Sequence, residues 1–197
     1  MVRRALLLVF ALFALASCAS SRMVQVAAPQ SIGPLAEQAV IVFVRPSSFG
    51  AALTPTILSS DGRFLGDADP SSHFAVAVPP GEHFFLVWGE NTGPLRARVQ
   101  KGRVYYVEVS MKPGWWTARV HLLAITPRTE QWHRVRDWLA ETKQTVPRGA
   151  EGQAYLDGRA SDVAERIKRA KEAFAGMDPE EQEARTLYPN DGLTQGL

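Results

Sequence analysis

Residues able to do chemistry are sparse in this 197-residue chain. Cys18 is its only thiol, so no disulfide can form within it. The four histidines, His73, His83, His121 and His133, are scattered, and no two have the spacing by which a helix offers paired imidazoles to zinc. His73 and His83 flank one turn and can approach across a hairpin, but a pair without a carboxylate or third ligand reads as surface histidines. Asp61, Asp67 and Asp69 bracket a turn-rich loop and superficially suggest calcium. They lack the spacing of an EF-hand and its closing glutamate, so turn-forming Asx residues are the better reading. There is neither a Gly-x-Ser-x-Gly elbow nor a phosphate-binding glycine loop. No catalytic residue, metal or cofactor is therefore expected. Trp115 and Trp116 remain: adjacent in a turn, they could present stacking faces to a sugar or peptide. The opposing reading is that one plugs the end of a sandwich while the other packs under a helix, since aromatics contribute mostly as buried area.

Cys18 gains meaning from what precedes it. Arg3 and Arg4 are followed by an apolar run from Ala5 to Ser17, the pattern of an export signal. The run falls short of the ~20 apolar residues a membrane-crossing helix needs, and the polar stretch Ser20-Ser21-Arg22 follows closely. Leu15-Ala16-Ser17-Cys18 resembles the lipobox of bacterial lipoproteins. The resemblance implies a diacylglyceryl group on the Cys18 thiol, cleavage between Ser17 and Cys18, and acylation of the new amine. Two or three acyl chains anchor firmly where a single chain is marginal, each buried methylene contributing ~0.8 kcal/mol. Ala19, in place of an aspartate, resembles cargo passed on to the outer membrane. The alternative is an ordinary secretory signal that leaves a free cysteine.

The chain carries 22 Lys+Arg against 20 Asp+Glu, and loss of Arg3 and Arg4 with the signal balances them. A nucleic-acid partner, which calls for a concentrated basic surface, is not expected. About 180 residues remain after the signal, enough for one domain with appendages.

Four regions follow from composition. Residues 1–17 are the signal peptide. Residues 18–38 mix Ser, Ala, Gln and Pro without a period and read as a lipidated flexible tether, in which Met23, Val24 and Val26 could form a small first strand. Residues 39–126 read as short strands between turns. Val40-Ile41-Val42-Phe43-Val44 is apolar throughout, which suits burial on both faces. Ser60-Asp61-Gly62 is a hairpin turn. Pro79-Pro80-Gly81 stops one strand before the next begins at His83. Leu95-Arg96-Ala97-Arg98-Val99 alternates, which predicts one dry face and arginines in water. The spacing predicts an antiparallel sandwich of about seven strands. Residues 127–197 read as two or three α-helices. The first starts at Thr126-Pro127 with Trp132, Val135, Trp138 and Leu139 facing the sandwich. The second starts at the capping-box spacing of Asp162 to Glu165 and carries Val163, Ile167, Ala170 and Phe174. A short third starts at Asp178-Pro179. A polar loop is expected up to Gly158, and disorder from Pro189 to Leu197.

Four cues in order resemble uncharacterised bacterial lipoprotein domains related to the PEGA-type surface β-domains. They are Arg45-Pro46-Ser47-Ser48-Phe49, Gly62-Arg63-Phe64-Leu65-Gly66, Pro79-Pro80-Gly81-Glu82-His83 and Gly102-Arg103-Val104-Tyr105-Tyr106. The resemblance covers residues 39–126 and implies a transthyretin-like or carboxypeptidase-regulatory-like β-sandwich without known catalytic activity. It brings no agreed binding residues. The first functional expectation is a non-catalytic, membrane-anchored envelope lipoprotein that binds or scaffolds another envelope component, a protein or a glycan. The alternative is a carbohydrate- or peptidoglycan-binding module using Trp115 and Trp116. A hydrolase whose site is built across strands ranks last.

Overall fold

The computed structural model describes residues 21–113 and 118–197. Cys18, Ser17 and the whole signal, as well as Trp115 and Trp116, lie outside the described residues.

Two sheets form the body. In chain order the strands are β1 (Met23–Gln25), β2 (Ala39–Arg45), β3 (Thr56–Ser59), β4 (Phe64–Asp67), β5 (Ser72–Val78), β6 (Gly81–Trp88), β7 (Thr92–Val99), β8 (Arg103–Pro113), β9 (Ala118–Ile125), β10 (Lys143–Pro147) and β11 (Thr186–Leu187). The first sheet has six strands in the order β1-β10-β5-β2-β8-β9, and the second five in the order β11-β7-β6-β3-β4. Two sheets followed by helices agree in outline with the expected sandwich, but among the described residues the strands number eleven, of which eight, β2 to β9, lie within 39–126, where about seven are expected. Nor is the pairing wholly antiparallel. β2 runs parallel to β8, β10 to β5 and β11 to β7.

Parallel pairs arise because the chain changes sheet at its turns. Pro79-Pro80-Gly81 joins β5 in the first sheet to β6 in the second, and Lys101-Gly102 returns it from β7 to β8. Ser60-Asp61-Gly62 does make a hairpin, between β3 and β4, with a register shift at Ile57/Leu58. Gly62 sits there at φ +82°, which only glycine adopts without strain.

The central core lies between the sheets. Ile41, Phe43, Phe74 and Val107 from the first meet Ile57, Phe85, Val87 and Leu95 from the second. The Phe43 ring stacks on Phe74 at 5.4 Å and meets Phe85 edge-on at 6.1 Å. The outer faces are also covered. The helices are α1 (Val135–Glu141), preceded by a 3-10 turn at Glu130–Arg134, α2 (Gly149–Asp157), α3 (Ala160–Ala175) and α4 (Pro179–Ala184). Val135 and Trp138 of α1 pack on Val40, Val42, Val44 and Tyr106. Leu156 of α2, with Val163 and Ala170 of α3, packs on Leu58, Phe64 and Leu86 of the second sheet. β2 is therefore buried along its whole length on both faces, as its unbroken apolar run predicts.

Several expectations shift in the C-terminal region. The polar segment 143–147 is a strand, because β1 on one side and β5 on the other give its backbone groups partners. The loop expected before Gly158 is α2. Gly152 belongs there because a Cβ would stand 2.1 Å from the Phe64 ring. Thr126 does not cap the first helix. Its hydroxyl accepts from Arg128 N at 3.2 Å in a turn, and Thr129 holds the N-cap position of the 3-10 turn instead. α3 begins at Ala160, with Arg159 rather than Asp162 before its first turn. Asp178 caps α4 as expected, accepting from Glu181 N at 2.8 Å. Residues 189–197 are held to the body: Tyr105 donates to Pro189 O at 2.9 Å, Arg103 donates to Gly192 O at 2.7 Å, and Leu193 bridges to Val104. Of the alternating arginines on β7, Arg98 is exposed, whereas Arg96 packs over the Phe174 ring at 5.1 Å.

Candidate functional site

A cleft of about 620 Å³ opens on the outer face of the first sheet. Its walls are the segment 29–32, α1 and the C-terminal Leu197; its lining includes His73, Tyr106, Arg136 and Leu139. Strand alternation places these groups. On β8, Tyr105 turns into the central core and Tyr106 toward the outer face. Arg136 and Leu139 stand three apart on α1 and so share a face. The walls are braced to one another. Gln144 on β10 holds both backbone groups of Gln30, accepting from its N at 2.6 Å and donating to its O at 3.1 Å. Leu197 N donates to the Tyr106 hydroxyl at 3.2 Å.

Hydrogen bonding fixes the state of His73, which is buried. The Thr142 hydroxyl gives its one proton to Trp138 O at 2.6 Å, so at 2.7 Å from it the His73 Nδ1 must be the donor. That leaves the Nε2 lone pair free to accept. Burial pushes the His73 pKa down and the Tyr106 pKa up, which keeps both rings neutral. Arg136 supplies the only full charge among the lining side chains. A base for nucleophilic chemistry is ordinarily oriented by a carboxylate; here a threonine does the orienting, and among the described residues no side-chain carboxylate lines the cleft. The arrangement can accept, donate and attract an anion, which are the elements of binding.

The remaining histidines do not converge. His83 lies in the other sheet from His73, donating from Nε2 to Pro79 O at 2.8 Å and stacking on Phe85. His133 is exposed in the 3-10 turn. Among the described residues, no three His, Cys, Asp or Glu side chains gather as a metal ion would require. Asp61 behaves as a turn residue, accepting from the Ser59 hydroxyl and from Arg63 N.

Asp67 and Asp69, read from sequence as turn residues, instead form a clamp on the N-terminal segment. Asp67 is fully buried; its Oδ1 accepts from Arg22 Nη2 at 2.7 Å and from Thr56 Oγ1 at 2.9 Å, and its Oδ2 from Arg22 N at 3.0 Å. Asp69 accepts from the Ser21 hydroxyl at 2.9 Å. Burial raises the Asp69 pKa against that hydrogen bond. The Arg22 guanidinium also lies 3.8 Å from the centre of the Tyr155 ring. The segment read as a free tether is thus tied to the domain from Ser21, and Met23–Gln25 pairs with β10. The apolar cluster at Met23, Val24 and Val26 signals the small strand, but nothing local signals the clamp, since each of its partners is about 45 residues or more away.

His121 on β9 accepts at Nδ1 from Arg185 Nη2 at 3.3 Å. Burial first, then Arg185, Lys112 and Arg119, push its pKa down from 6.5 to about 4. In the unfolded chain it takes up a proton near its ordinary value of about 6.5. Between these values the folded protein binds fewer protons, so this contribution is complete above pH 6.5 and is lost as pH falls toward 4. His121→Asn keeps an acceptor for Arg185 and should flatten the dependence of the urea midpoint on pH across that window. An unchanged slope would rule out His121 as its source.

No protein-family model, curated protein or solved structure matches this chain.

Proposed function

We propose that the chain is a non-catalytic lipoprotein of a bacterial cell envelope, anchored through Cys18, whose folded part binds another envelope component. The anchoring half rests on Leu15-Ala16-Ser17-Cys18 behind a cationic apolar leader; Ala19 favours the outer membrane. One observation carries the binding half: the braced cleft presents a neutral His73, a neutral Tyr106 and the Arg136 cation on an apolar floor, a set suited to holding a ligand. The β-part resembles the transthyretin-like, PEGA-related sandwich. In support, its four cues fall at structural punctuation: Arg45 ends β2, Gly62 turns the β3–β4 hairpin, Gly81 opens β6, and Gly102 precedes β8.

One experiment addresses both halves. A photo-crosslinking residue replacing Leu139 is introduced into the wild type and into Cys18→Ser, and intact cells are irradiated and fractionated. The expected result is a discrete adduct in the membrane fraction of the first and its loss from that fraction in the second. Equal fractionation of the two chains would defeat the anchoring reading. Membrane-bound chain with no adduct from position 139, together with an adduct from an unrelated surface position, would defeat the cleft as the contact.

A further inference from the structure

We infer that the lipid-bearing end seats the domain directly against the bilayer, with the loop around Phe49 meeting the membrane surface; this rests on lipidation of Cys18. A free tether from 19 to 38 would hold the domain off at an r.m.s. distance of about 25 Å. The clamp removes that freedom. Ser21 is bound to Asp69, Arg22 to Asp67, and the Arg22 carbonyl accepts from Arg148 N at 2.8 Å. Only Ala19 and Ser20 separate Cys18 from this clamp, so even fully extended chain places Cys18 within about 10 Å of it.

The clamp connects to an exposed edge of the sandwich through one side chain. Ala68, next to Asp69, accepts at its carbonyl from Arg45 Nη1 at 2.8 Å, while Arg45 Nη2 donates to Phe49 O at 2.9 Å and Gly50 O at 3.0 Å. Phe49 is 47% exposed, the one aromatic among the large hydrophobic side chains exposed in the described residues. Gly50 lies against Met111 and Ala118, at the end where β8 runs on past β2 and pairs with β9. Lys112 and Arg119 pair across those strands and are both exposed. An exposed aromatic at the same end of the sandwich as two exposed cations, which project from the face opposite Met111 and Ala118, suits a surface of anionic lipid headgroups, to which each cation contributes ~1 kcal/mol. The occupant implied is a phospholipid bilayer, because a lipid on Cys18 would reach no further than about 10 Å from the clamped Ser21–Arg22 segment, to which Arg45 ties this loop through Ala68.

The full lipidated chain offers a clean probe, since Cys18 is its only native cysteine and its thiol is occupied. Ser48→Cys and, at the opposite end, Lys101→Cys each introduce one free thiol on an exposed residue. Each variant is labelled with an environment-sensitive fluorophore and incorporated into vesicles of phosphatidylethanolamine and phosphatidylglycerol containing headgroup-proximal quenching lipids. The expected result is loss of most emission at position 48 and little loss at 101. Equal quenching at both positions, or at neither, in chain that floats with the vesicles would overturn the seating while leaving anchoring intact. Chain that fails to float would overturn anchoring itself, and the seating with it.

Discussion

Arg45→Met is expected to destabilise the protein by about 3–5 kcal/mol in urea unfolding followed by far-ultraviolet circular dichroism. Arg45 is 1% exposed, and its guanidinium donates to four carbonyls, those of Leu53, Ala68, Phe49 and Gly50, at 2.8 to 3.0 Å. Among the described residues no carboxylate forms an ion pair with it; the nearest acidic influence is that of Asp69. Burial pulls its pKa down, yet an arginine starts so high that it stays charged. The cation is therefore stabilised mainly by backbone dipoles, with the Asp69 carboxylate acting on it without a direct contact, and the loop from Phe49 to Leu53 has its shape because it wraps that cation. Methionine conserves most of the stem but leaves four acceptors without their donor, each buried one costing about 1–3 kcal/mol before the loop relaxes toward water. Arg45→Lys keeps the charge without the planar fork and should recover part of the loss. A methionine variant within about 0.5 kcal/mol of wild type, the scatter of ordinary surface changes, would show that the loop does not depend on the guanidinium.

Asp67→Ala should cost about 2–4 kcal/mol and should also loosen one specific segment. Removing one member of a buried pair typically costs about 3–5 kcal/mol. The lower range applies here because the Arg22 side chain is 20% exposed and keeps its stacking on Tyr155. Thr56 Oγ1 and Arg22 N lose their acceptor in the same step. Amide exchange should therefore accelerate most at Met23 to Val26, while the central strand β2 changes only with global stability. Asp67→Asn retains an acceptor and should give a smaller shift of the same pattern. Uniform acceleration across β1 and β2 would mean that the ion pair supports the whole fold rather than the N-terminal strand.

What the sequence discloses about this architecture depends on how local the cause is. The burial of β2 on both faces is written in five successive apolar residues, because no other environment accepts them. The turn at Gly62 and the cap at Asp178 involve residues within three positions of one another, so they too could be read directly. β10 could not. Lys143, Gln144 and Thr145 carry no strand signal of their own, and their conformation comes from two neighbours remote in the chain. α2 was hidden by Gly149 and Gly152, residues that argue against a helix, although the second is what lets the Phe64 ring approach. The cleft was illegible for the same reason: His73, Tyr106, Arg136 and Leu197 come from four separate elements, and only the tertiary fold brings them to one wall. Asp67 and Asp69 had a local explanation available as turn residues, and their distant partners Arg22 and Ser21 overrode it.

The pairing of β1 with β10 also sets an order of events. Met23 faces Pro147 and Gln25 faces Thr145, so the first strand has no partner until nearly three-quarters of the chain is present. A polypeptide delivered from its N-terminus must leave that strand unpaired through most of its delivery, because the edge it will occupy does not yet exist. Asp67 and Asp69, which hold Arg22 and Ser21, lie far earlier in the chain than β10, so the clamp has its partners well before Met23 to Gln25 have theirs. Late closure of an early strand thus makes the seam between the two ends of the chain one of the last contacts to become available as the polypeptide emerges.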